Sequence, residues 1–82
     1  LDLHGCRLGD KGTRRLPRAK FWPNLVELSL LGNVISPFGI QGLLDAEVPR
    51  DLAALVLDGE QLGHETRTEL RRKYGERVVF TA

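Results

Sequence analysis

Methionine is absent from this 82-residue chain, and it has one cysteine, one tryptophan and one tyrosine. A single thiol cannot close a disulfide within the chain, which excludes a disulfide-stapled fold and points weakly to a reducing, cytoplasmic setting. No run approaches the roughly 18 apolar residues of a membrane helix, and no signal peptide is visible, so no membrane partner is expected. No charge of one sign dominates. Twelve basic residues face eleven acidic ones for a net charge of +1, so nucleic acid is not expected as a partner. No phosphate-binding loop, nucleophile elbow or metal-ligand spacing is present. His4 and His64 fall in different local contexts, a strand and a helix start. The expectation is therefore no cofactor, no metal, no catalytic residue and no enzyme activity.

What the chain does have is a period. Leu1, Leu28 and Leu55 stand 27 residues apart. In the same register stand Leu3, Leu30 and Leu57; Gly5, Gly32 and Gly59; Cys6, Asn33 and Glu60; Leu8, Ile35 and Leu62; and Leu16, Leu43 and Leu70. Six columns in one register make this a repeat array. Its clearest copy, Leu25-Val26-Glu27-Leu28-Ser29-Leu30-Leu31-Gly32-Asn33-Val34-Ile35, reads L-x-x-L-x-L-x-x-N-x-I.

That pattern resembles the leucine-rich repeat. The period, the cysteine in an asparagine column and Leu8-Gly9-Asp10-Lys11-Gly12 are most similar to its ribonuclease-inhibitor-like and cysteine-containing subclasses. The resemblance implies an α/β right-handed solenoid, with short parallel strands on a concave face and helices on a convex face. It also implies function by binding a protein partner. Repeats are expected at 1–24, 25–51 and 52–78, with a terminal cap at 76–82. Strands are expected near 1–3, 28–30 and 55–57, and a fourth segment at 78–80, where Val79 stands one period after Leu52. The chain opens directly on a strand motif, so the expectation is a C-terminal part of a longer domain, with upstream repeats of the same chain as neighbours.

Taken in order, Leu1 and Leu3 alternate inward. Cys6 packs at the bend where an asparagine elsewhere pairs backbone groups, and that position accounts for it without catalysis. A helical segment starts at Gly9 or Asp10 and is cut short near Leu16-Pro17. Arg14, Arg15, Arg18 and Lys20 read as a solvated convex face. Phe21 and Trp22 read as core plugs between helix and sheet. Ser36-Pro37 marks a helix start, and Phe38, Ile40, Leu43 and Leu44 are its apolar contacts. Gly39 and Gly42 lower helix propensity by roughly 1 kcal/mol each, to be offset by close packing of neighbouring segments. Glu60 breaks the asparagine column and marks the last full repeat, where water must reach the carboxylate. Gly63–Tyr74 is the strongest helix, with Glu65 and Arg71-Arg72-Lys73 matching its dipole and Gly75 ending it. Leu1, Leu3, Leu8 and Leu16 are expected at an open apolar end.

In such arrays, binding uses the side chains between the inward leucines. The columns carried over are Asp2–Ser29–Val56, His4–Leu31–Asp58, Arg7–Val34–Gln61 and Glu27–Ala54. Leu31, Val34 and Val56 would form a small apolar patch rimmed by Glu27, His4, Asp58, Arg7 and Gln61, with Asp2 and Ser29 beside it. Two other readings compete with a binding surface. One is a purely structural C-terminal cap, and the other is a substrate-recruiting segment attached to a catalytic domain elsewhere in the chain.

Overall fold

The strands at Glu27–Ser29 and Ala54–Asp58 form where leucines alternate into the core, and the helix at Pro37–Asp45 begins behind a capping serine, Ser36. In the computed structural model, residues 1–81 are described, apart from the side chain of Gln61. Among these residues three α-helices, α1 (Gly9–Arg15), α2 (Pro37–Asp45) and α3 (His64–Tyr74), alternate with three strands, β1 (Glu27–Ser29), β2 (Ala54–Asp58) and β3 (Val78–Thr81). The strands form one parallel sheet in the order β1–β2–β3. The fold is a small α/β unit. No helix among the described residues is long and apolar enough to cross a membrane.

The period appears directly in the pairing. Leu28 lies opposite Leu55, and Ser29 opposite Val56. Asp2 meets Ser29 in an isolated parallel bridge. The N-terminal residues thus fall short of the full strand expected there. Leu3 N–H donates to the Ser29 carbonyl and Ser29 N–H to the Leu1 carbonyl, both at 2.9 Å. The segment then turns at Gly5, whose φ of +64 suits glycine. The fourth segment, by contrast, is a complete strand, in a register the period does not foresee. Leu55 pairs with Val78 and Val56 with Val79, so the step is 23 residues. The last connection is shorter because α3 runs through Gly75–Arg77 straight into β3, without the return loop that follows α2. Val78 is therefore the inward residue, and Val79 is 45 % exposed.

Leu28, Leu30, Leu55, Leu57 and Val78 point from the sheet into one core, where Ile40, Leu43, Leu70 and Tyr74 of the helices meet them. Leu25, Ile35, Leu52 and Leu62 complete it. Three apolar residues depart from expectation. Leu16 is buried rather than part of an open end, because Pro17 turns the chain at Leu16–Arg18 and folds the leucine under. Phe21 is exposed while Trp22 alone enters the core, its indole N–H donating to the Glu47 carbonyl at 2.8 Å. Phe38 is also exposed, its ring covered on one side by the Arg14 guanidinium at 4.5 Å. Leu1 is half-exposed, and Leu3 and Leu8 are partly buried.

Polar bonds tie each unit to the next. Asn33, fully buried, donates through Nδ2 to the carbonyls of Leu3, Leu30 and Leu31, and accepts from Leu8 N–H through Oδ1. Ser36 caps α2 by accepting from Phe38 N–H. Its own hydroxyl and N–H donate to Asp10 at 2.6 and 2.7 Å, which holds the Asp10 carboxyl below its usual range. Asp10 lies in the first turn of α1, but the groups it pairs belong to the next unit. A Cβ at Gly39 would stand 2.9 Å from the Asp10 Cα, and one at Gly42 2.9 Å from the Arg14 Cα. The two glycines are thus where α1 and α2 touch backbone to backbone.

In the third unit the asparagine column holds Glu60, which is exposed. At this turn it is Arg67 of α3 that pairs backbone groups, its guanidinium donating to the carbonyls of Gly59 and Leu62. Arg77 likewise donates to the Leu52 carbonyl at 2.8 Å.

Tyr74 is fully buried, donates to the Leu43 carbonyl at 2.7 Å, and has its phenol pushed up from 10.0 to about 12 by burial. Between those values the unfolded chain loses the proton that the folded chain keeps. Stability is therefore intact below pH 10 and should fall by roughly 2–3 kcal/mol as pH rises to about 12. With one tyrosine in the chain, tyrosinate absorbance reads this group alone. It should titrate together with loss of helical circular dichroism, and near its ordinary value in denaturant. Ionisation near pH 10 without unfolding would contradict the buried bond.

Candidate functional site

The face of the sheet turned away from the helices carries the side chains between the inward leucines. Strand pairing sets them in rows: Asp2–Ser29–Val56–Val79 is one, and Glu27–Ala54 another. Asp2 and Glu27 are exposed, while Ser29 and Val56 are half-buried. A shallow pocket of about 190 Å³ opens here, lined by Leu1, Asp2, Glu27, Leu28, Ser29 and Val56. Two carboxylates thus stand beside an apolar floor.

Four expected residues, Asp2, Glu27, Ser29 and Val56, therefore come together. Leu31 and Val34 do not line this pocket. Gly32, at a φ of +73, bends the chain immediately after Leu31. Val34 lies beyond that bend, 78 % exposed. The expected apolar centre is thus divided, and Val56 is its part on the sheet. Leu31 is half-buried.

His4 and Asp58 belong to a second cluster, at the turn. Asp58 Oδ2 accepts from Gly32 N–H at 2.7 Å. The His4 ring lies against Gly32 from the other side, so close that a Cβ there would fall 2.7 Å from its Cδ2. The pair clamps the turn through glycine and makes no direct bond, which gives both residues a structural task. Arg7 is exposed and sits at a φ of +55, left-handed for a non-glycine residue. The Gln61 side chain lies outside the described residues. Cys6 is exposed, with its thiol 3.7 Å from the His4 carbonyl.

Val79 is the residue that sequence reading missed on this face. It extends the Ser29–Val56 row by one strand and makes the row increasingly apolar toward β3. The signal was present in the absence of a return loop between Tyr74 and Val78. Among the described residues no three of His, Cys, Asp or Glu gather into a group able to hold a metal ion. The arrangement offers shape, apolar contact and carboxylate acceptors.

Comparison of this chain with family models, with curated proteins and with solved structures finds no match.

Proposed function

We propose that this chain is a leucine-rich repeat segment acting as a non-catalytic scaffold for protein–protein interaction, with the outward sheet face as its binding surface. Support for the repeat reading comes from the pairing of Asp2 with Ser29 and Ser29 with Val56, both at the sequence period, and from the buried asparagine joining two units. The observation that carries the functional reading is the outward row Asp2–Ser29–Val56–Val79. It rises from polar to apolar around a pocket edged by Glu27. Rigid strands present such a row with little entropy to lose on binding, and an apolar centre with a polar rim is the anatomy of a protein contact.

A photo-crosslinking residue placed at Val56 in the producing cell should yield a discrete adduct with one partner protein, identified by mass spectrometry. The adduct should be lost when Val79→Asp is added, and absent when the same probe replaces exposed Gln41 of α2. Equal labelling from both positions would reject the sheet face as a specific surface. No adduct at Val56 would favour the structural-cap reading, in which this segment only closes a longer array.

A further inference from the structure

A near-zero net charge conceals a local excess on the helix side, independent of the sheet face. Lys11, Arg14, Arg15 and Arg18 follow one another at i, i+3, i+4 and i+7 along α1 and the turn after it, which places them on one stripe. The rest of the chain then carries eight basic residues against eleven acidic ones. These four cations and Phe38 line a groove of about 360 Å³.

The helix dipole accounts for Arg14 and Arg15 in the last turn of α1. It works against Lys11, which lies in the first turn, and like charges at these spacings repel. The neighbouring carboxylates do not relieve that repulsion by a bond. Asp10 accepts from Ser36, and Asp45 from Gln41 at 2.9 Å. Arg14 is held rigid, its Nη1 donating to the Phe38 carbonyl at 2.9 Å while its guanidinium stacks on the Phe38 ring. Phe38 nevertheless remains 64 % exposed, a large ring that contributes little to the core.

We propose that this groove binds a short acidic peptide segment, whose carboxylates pair with Lys11, Arg15 and Arg18 while an adjacent apolar side chain covers Phe38. Charge complementarity over one short stripe favours a peptide over nucleic acid. The stripe spans about two helical turns, and the acidic excess beyond it would repel a longer polyanion. Planar guanidinium groups beside a fixed aromatic ring match carboxylates presented next to an apolar side chain.

The test uses the whole chain and a fluorescent synthetic peptide of glutamates flanking one leucine, read by fluorescence anisotropy. Two controls accompany it: a glutamine version of the peptide and a single-stranded RNA oligonucleotide of equal charge. The acidic peptide should bind in a salt-sensitive manner, and Arg15→Glu with Arg18→Glu should weaken it roughly tenfold or more. Phe38→Ser should weaken it several-fold, and the glutamine peptide should fail to bind. The other basic cluster serves as control, and Arg71→Glu with Arg72→Glu should change binding by about twofold at most. Circular dichroism monitors folding, and Arg15→Gln with Arg18→Gln replaces the reversed pair if that pair unfolds. Equal losses from both double variants, no binding at low salt, or tighter binding of the RNA would each overturn the proposal.

Discussion

Asn33→Ala is expected to destabilise this protein by about 3–5 kcal/mol, because each buried polar group left without a partner costs roughly 1–3 kcal/mol. The substitution strands the Leu8 N–H and the Leu30 carbonyl, whereas the Leu3 and Leu31 carbonyls keep the N–H groups of Cys6 and Gly5. A domain of this length has only about 4–12 kcal/mol to lose. The melting temperature should therefore drop by at least about 12 °C. Calorimetry measures the drop, and hydrogen exchange locates it, since the Leu8 amide should lose protection first. A variant that melts within a few degrees of the parent would mean that water or relaxed backbone replaces the asparagine, and that the first two units are joined by apolar contact alone.

The second large effect separates neighbouring leucines. Leu30 is 1 % exposed and packs in the core, whereas Leu31 is half-buried on the outward side. Leu30→Ser should cost about 3–5 kcal/mol, since it opens a cavity and buries a hydroxyl. Leu31→Ser should cost less than about 1 kcal/mol, as expected away from the core. Urea unfolding with an unchanged slope reads both values. Reversed results would place the strand one residue out of register, because a shift of one exchanges the two faces.

The parts of this fold that were legible in the sequence are those in which one chemical reason acts column by column. Leu28 opposite Leu55 and Asn33 at the bend follow from the period, since identical units stack identically. Ser36 and Pro37 announce α2 through local backbone chemistry alone. Legibility fails where the answer depends on a neighbour that the period does not specify. Phe21 and Trp22 are adjacent rings of similar hydrophobicity, but only Trp22 has a carbonyl, that of Glu47, within reach of its indole. Phe38 looks like core until Arg14 is seen lying on it. Arg67 pairs the carbonyls of Gly59 and Leu62, just after β2, from a helix that must first fold across them, so nothing near Glu60 forecasts it. At the candidate site the rows were readable, and the missing return loop carried the signal for Val79, while the bend at Gly32 that removes Val34 was not readable.

The backbone contact at Gly39 and Gly42 also governs shape. Adjacent strands lie about 4.8 Å apart, whereas helices bearing ordinary side chains keep their axes about 8–10 Å apart. Units thicker on one side than on the other stack as wedges, and each wedge tilts its successor. The two glycines let α1 and α2 approach backbone to backbone, so the least bend of the sheet is expected there. No glycine lies within α3, so the wedge between the second and third units is expected to be wider. Curvature is thus expected to be unevenly distributed. A rigid partner laid across the strands should meet a flatter approach at Asp2 and Ser29 than at Val56 and Val79.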